Sequence, residues 1–239
     1  MIKNALTIIL SLLLLQSVNA AKTVSGSITK STSWTSADNP ITITGNVDIP
    51  DSIVLKIEPG TVIRFDGYFR LLVRGSLEAN GEAGKEIEFT SNKETPAVGD
   101  WEGIIFYGEK SGGFLKNCKI KHAFKNFIWK SAPFIQSCQF AMNNYALYCS
   151  YSKASKIIDN KITKNNFGIY CDYSSPLIQR NSITDNSYGI YCVLSSAPIV
   201  GDNNIAANSE KDIYMDDSLG KNEAENVNNH VWDLMKGLF

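Results

Sequence analysis

Five aromatic residues, Trp129, Tyr148, Tyr170, Tyr191 and Tyr214, recur along the second half of this 239-residue chain in steps of 19, 22, 21 and 23. Aromatic rings are flat and apolar, and the C–H faces of sugar rings can pack against such surfaces. Repeated at the roughly 4.8 Å spacing of neighbouring β-strands, they would form an outward-facing strip about 19 Å long, enough for several residues of a glycan chain. The same column also has a purely structural use, because aromatic neighbours on adjacent strands stabilise a sheet by about 0.2–1 kcal/mol per pair with no ligand. A contiguous exposed patch, not scattered surface rings, separates a binding strip from packing.

Carboxylates are the next candidates. Asp172 and Asp216 each lie two residues beyond a column tyrosine, with Val193 at the same place in the unit between them. Stacked units would put the two acids roughly 10 Å apart. Carboxylates at that separation leave room for the water of an inverting glycoside hydrolysis, unless the side chains fall in a turn. His122 and His230 have no Cys or His at ligand spacing, so no metal is predicted. Gly75, Gly81 and Gly84 lack both the spacing and the following helix of a phosphate loop, and no cofactor is predicted. The cysteines fall into two columns, Cys118/Cys138 and Cys149/Cys171/Cys192. They read as small core side chains, and most are expected to be free thiols, because Cβ atoms stacked at about 4.8 Å lie beyond the usual disulfide range of about 3.5–4.5 Å.

The elements that would hold these residues announce themselves by repetition. Cys118, Cys138, Asn160, Asn181 and Asn203 recur in steps of 20, 22, 21 and 22, each followed two residues later by an isoleucine or phenylalanine. Asn143, Asn165, Asn186 and Asn208 repeat at 22, 21 and 22, and Pro133, Pro176 and Pro198 close several units. Each unit holds short apolar bursts separated by Asn, Ser, Gly and Asp, with no sustained 3.6-residue period, which is the pattern of strands and turns. One such unit cannot bury its apolar side, but stacked units make a continuous core. Ile169 and Cys171 should then face one way and Tyr170 the other. Asparagine suits the turns because it tolerates left-handed backbone angles, and a column of them can bond from coil to coil. A leucine-rich repeat has a comparable period, but only Leu115, Leu147, Leu177 and Leu194 occur between 112 and 216, and the units leave no room for a helix. The fold class is therefore all-β: a single-stranded right-handed parallel β-helix, a β-solenoid of about 21–22 residues per coil in the second half.

The first half is less regular but strand-like, with Ile41/Ile43, Val54/Leu55/Ile57, Val62/Ile63/Phe65, Leu71/Val73, Ile87/Phe89 and Ile104/Phe106 separated by turn residues. Here the chain resembles secreted proteins with right-handed parallel β-helix repeats, the pectate-lyase-like superfamily. The resemblance rests on Leu55-Lys56-Ile57-Glu58-Pro59-Gly60-Thr61-Val62-Ile63, on Leu72-Val73-Arg74-Gly75-Ser76-Leu77-Glu78-Ala79-Asn80-Gly81, on Ile87-Glu88-Phe89-Thr90-Ser91 and on Trp101-Glu102-Gly103-Ile104-Ile105-Phe106, and it covers about 54–216. It implies the fold, and a role among polysaccharide lyases and hydrolases, epimerases, carbohydrate-binding modules, a copper-site maturation protein and surface proteins of unknown role. The motifs of the enzymes are missing: there is no Gly-His-Gly of the polygalacturonase type and no Asp-Pro-His-Asp of the epimerase type. Asp216-Asp217 is the one adjacent acid pair and Arg180 the sole arginine after Arg74, so no lyase site of clustered acids is apparent.

Lys3, the apolar stretch 5–15 and the small-residue exit Val18-Asn19-Ala20 predict a signal peptide over 1–20, and hence a periplasmic, cell-surface or extracellular protein. The remainder, 21–239, is expected to be one elongated domain, with N-terminal closure and first coils over 22–53, coils over 54–216 and a C-terminal cap over 217–239. No later apolar run approaches the roughly 20 residues of a membrane-spanning helix. With 23 Lys+Arg against 24 Asp+Glu and no basic cluster, nucleic acid is not an expected partner. The expected function is a non-catalytic polysaccharide-interacting module whose site is Trp129, Tyr148, Tyr170, Tyr191 and Tyr214. The alternatives are a structural or adhesive surface protein and a lyase or hydrolase with an unfamiliar site.

Overall fold

The computed structural model describes residues 22–216. The predicted signal peptide and C-terminal cap lie outside the described residues. Between them the chain winds through eight coils, each laying one strand on each of three faces. The first face is an eight-stranded sheet running from Thr32–Trp34 to Ile199–Gly201. The second runs from Val62–Phe65 through Ile87–Ser91, Cys118–Lys121, Gln139–Ala141, Lys161–Thr163 and Ser182–Thr184 to Asn204–Ala206. The third runs from Arg70–Val73 through Gly103–Tyr107, Lys125–Trp129, Tyr145–Ser150, Phe167–Asp172 and Tyr188–Val193 to Lys211–Met215. The nine-residue strand Ile41–Ile49 begins on the second face, against Ile63, and ends on the third, against Leu71, which joins the two into one sheet. Lys22–Ser27 pairs with that strand in parallel and starts the stack. All pairings between coils are parallel, and one 3₁₀ turn, Ser36–Asp38, is the only helical element among the described residues.

Side-chain alternation builds the core. On the inner side of the third face, Val73, Phe106, Ile128, Cys149, Cys171, Cys192 and Met215 succeed one another in register. Ile63, Phe89, Ile120, Phe140, Ile162, Ile183 and Ile205 do the same on the second face. Each fully buried aliphatic side chain in such a column contributes about 1.5–3 kcal/mol of burial. Trp101 plugs the third coil, stacked on Phe65 at 3.9 Å with its indole N–H donating to the Lys121 carbonyl. All five cysteines are buried, unpaired thiols.

From Asn117 onward three corners bend each coil, and each is marked by a left-handed residue. One corner is formed by Asn117, Ser137, Asp159, Arg180 and Asp202, the next by His122, Met142, Lys164, Asp185 and Ala207, the last by Lys130, Tyr151, Tyr173 and Leu194. The asparagine columns therefore sit one residue after the left-handed position, and their contribution is side-chain bonding. Asn165 Oδ1 accepts from both the backbone N–H and the side-chain amide of Asn143, at 2.9 and 3.0 Å, and Asn186 Oδ1 does the same for Asn165. Asn181 serves Asn160 identically, and the Asn160 oxygen accepts from the backbone of Cys138. A serine column at the last corner, Ser152, Ser174 and Ser196, links backbone N–H groups to the next hydroxyl. These ladders satisfy donors and acceptors that the bends would otherwise bury unpaired, at about 1–3 kcal/mol apiece.

Candidate functional site

The predicted aromatic column lies on the outer side of the third face, with one displacement. Tyr148, Tyr170, Tyr191 and Tyr214 stand in register on consecutive coils. The coil before them contributes Phe127 to this column, while Trp129 pairs with Ser150 and, on its other side, with Tyr107. The spacing of 19 from Trp129 to Tyr148 was the only irregular step; the true step, from Phe127, is 21 residues. A shift of two keeps a side chain on the same side of its strand, so Trp129 still faces outward. The same shift places Ile128, not Lys130, beneath Cys149.

A second aromatic column, which the alternation rule hides, runs beside the first. Tyr145, Phe167 and Tyr188 stand in register and stack at 4.7 and 5.1 Å. They lie three residues before the first column, a separation that regular alternation would send to opposite sides. One extra residue in each strand, Ala146, Gly168 or Gly189, is tucked inward and restores the common face. A Cβ on Gly168 would lie 2.4 Å from the Gly189 carbonyl oxygen, and one on Gly189 would lie 2.3 Å from that of Asp212.

Within each column the rings stack on one another: Tyr148–Tyr170 at 4.5 Å, Tyr170–Tyr191 at 5.2 Å and Tyr191–Tyr214 at 4.4 Å, all within 15° of parallel. Between columns they meet edge to face at 5.1–5.6 Å. The surface is thus a herringbone of ring edges and phenol hydroxyls rather than the flat platform that spacing alone suggests. Burial raises the pKa of Tyr148, with the neighbouring Asp172 charge second, and burial is also the main cause of the upward shifts of Tyr170 and Tyr191. The phenols stay neutral hydrogen-bonding groups at ordinary pH.

At the N-terminal end of the same face is a groove of about 460 Å³. Leu72, Ile105 and Phe127, consecutive in the column of Tyr148, form its apolar floor. Arg70, Glu102 and Lys125 stand on one side, Arg74 and Tyr107 on the other. Arg70 is paired with Glu102 at 3.2 Å and Arg74 with Asp48. The Lys125 ammonium lies over the Phe127 ring at 4.5 Å and near Tyr148 at 5.0 Å, with no acidic partner among the described residues. Tyr107 is 46% exposed and stacks on Trp129 at 4.3 Å.

The model of the right-handed beta helix region matches residues 102–239, more than half of the chain and nearly all of the aromatic face. The chain belongs to the right-handed β-helix family. No curated protein and no solved structure matches it.

Within this β-helix the remaining candidates are dispersed. Asp172 pairs with Val193, and the Asp216 N–H donates to the Cys192 carbonyl beside it, so the two acids lie two coils apart as their spacing implies. Asp172 Oδ2 accepts from the Tyr148 hydroxyl at 3.3 Å and from the Ser150 hydroxyl at 3.4 Å, while its Oδ1 is buried without a hydrogen bond. His122 is buried at a corner with its Nδ1 3.0 Å from the Thr90 hydroxyl, and His230 lies outside the described residues. Among the described residues no cluster of three His, Cys, Asp or Glu side chains could hold a metal. None of their helices is long and apolar enough to cross a membrane.

Proposed function

We propose that this β-helix protein is a secreted, non-catalytic glycan-binding module whose binding surface is the third face. The observation that carries the proposal is the uninterrupted aromatic surface, two columns wide, that continues into the groove floored by Leu72, Ile105 and Phe127. Contiguous apolar surface of this kind marks an interaction site on an otherwise polar protein. A polysaccharide matches its chemistry, because sugar rings alternate apolar C–H patches with hydroxyls just as the columns alternate ring edges with phenols. The non-catalytic part of the proposal draws its support from the sequence, which carries neither the Gly-His-Gly nor the Asp-Pro-His-Asp motif. Secretion draws its support from the residues at 1–20 alone.

The face-to-face stacking favours a structural share as well, since each stacked pair stabilises the sheet whether or not a ligand is present. Depletion of the purified protein by a panel of insoluble polysaccharides, alongside a Tyr170→Ala/Tyr191→Ala variant, separates the two. Binding that is lost in a variant with an unchanged circular dichroism spectrum supports the glycan surface. Depletion by no polysaccharide in the panel assigns the columns to structure alone.

A further inference from the structure

The charges around the stacked Tyr107–Trp129 pair narrow the glycan class. Tyr107 lines the groove, and its partner Trp129 carries the Lys130 ammonium 4.8 Å from its ring centre. Lys130 lines a second cavity, of about 470 Å³, at the corner leaving this face, together with Lys153, Glu109 and Tyr151. The aromatic pair therefore links the two cavities, Tyr107 lining the groove and Trp129 touching Lys130 of the second cavity. In the groove both arginines are matched by acids of the protein, and Lys125 is the cation left over. In the second cavity Lys130 and Lys153 face the single acid Glu109 and make no ion pair among the described residues. This local excess of positive charge stands on a chain whose formal net charge is −1, so it does not follow from overall composition.

Resting on the glycan reading above, we infer that the ligand is an acidic polysaccharide, with carboxylate or sulfate groups meeting Lys125 in the groove and Lys130 and Lys153 in the second cavity. The cation–π contacts hold two of these ammonium groups beside ring faces, which orders them before an anion arrives. A sugar ring lying over the Tyr107–Trp129 pair would set its charged substituents toward these lysines. Attraction between exposed charges fades with salt, so the preference for an acidic chain is strongest at low ionic strength.

The test uses polysaccharide pairs that differ only in the anionic substituent: dextran with dextran sulfate, and cellulose with carboxymethylcellulose. The inference predicts that the charged member of a pair binds about tenfold more tightly at low salt, and that 0.5 M NaCl removes most of this difference. A Lys125→Gln/Lys130→Gln/Lys153→Gln variant should bind the charged and neutral members of a pair equally. Equal binding of charged and neutral members, or a preference that survives in the triple variant, would overturn the inference and leave the glycan reading standing. If neither member of either pair binds, and the wider panel also fails, both fall together.

Discussion

Tyr170 and Tyr191 stack across neighbouring coils with ring centres 5.2 Å apart and planes 12° from parallel. Each also meets Phe167 of the second column edge to face, at 5.6 and 5.4 Å. One outward surface thus serves two ends: it staples successive coils together and concentrates apolar area where a ligand can reach it. Tyr170 sits at its centre, stacked on both sides, whereas Tyr214 stacks on Tyr191 alone among the described residues.

That asymmetry sets the expected costs of removing a ring. Tyr170→Ala should destabilise the protein by about 1–3 kcal/mol, from two stacked and two edge contacts. Tyr214→Ala should cost about half as much or less. Urea unfolding midpoints at unchanged slope measure both.

The ladder inside the corners should matter more than the rings outside. Asn165 is buried, accepts two hydrogen bonds from Asn143 and donates to the Phe140 carbonyl at 3.1 Å. Asn165→Ala orphans at least one buried N–H and weakens the pairing of one carbonyl, a cost of about 2–5 kcal/mol. Asn208 is half-buried at the end of the same column, and Asn208→Ala should cost clearly less. Equal losses at the two positions, by chemical denaturation, would contradict the ladder account.

Much of this was legible in the sequence. The fold followed from columns such as Asn160/Asn181/Asn203 and Tyr148/Tyr170/Tyr191, because stacked coils force the same residue types to recur at the same place. The register of Trp129 was not legible. Trp129 lies two residues along the strand from the column position, on the same outward side, and a second aromatic, Phe127, holds that position at the regular step of 21. The Tyr145/Phe167/Tyr188 column escaped because an extra inward residue breaks period-two alternation, and nothing but the glycines at 168 and 189 signals it. Ring orientation has no sequence signature at all: the same spacing is compatible with a flat strip and with the herringbone the structure shows.

Those glycines give a sharp test of the extra residue. Gly168→Ala would push a Cβ to 2.4 Å from a backbone oxygen in the next coil, where no flexible side chain can give way. It should destabilise by about 3 kcal/mol or more, in the range of overpacked cores. At Gly201 an added Cβ meets nothing within 4 Å, and Gly201→Ala should be neutral within about 0.5 kcal/mol or mildly stabilising. Thermal melts of the two variants side by side check the contrast.

A pH dependence follows from His122. Burial, then the Lys121 charge, lowers its pKa below the ordinary 6.5, against smaller opposing effects of Asp100 and Glu88, while Thr90 holds its ring. A base whose pKa is depressed on folding binds fewer protons in the folded state, so its contribution to stability is full above the unfolded value and declines as pH falls from about 6.5 toward the folded value. The melting temperature should therefore drop between pH 7 and pH 5, ahead of carboxylate titration. His122→Gln should flatten that part of the profile, and an unchanged slope in the variant would assign the decline to other groups.

The central claim is that the third face is where this β-helix meets its ligand. Hydroxyl-radical footprinting, with and without the polysaccharide that depletes the protein most strongly, tests it residue by residue. The account predicts protection of Tyr107, Trp129, Tyr170 and Tyr191, with Phe134, Leu177 and Ile199 on the first face oxidised at unchanged rates. Protection confined to the first or second face, or spread evenly over all three, would contradict it.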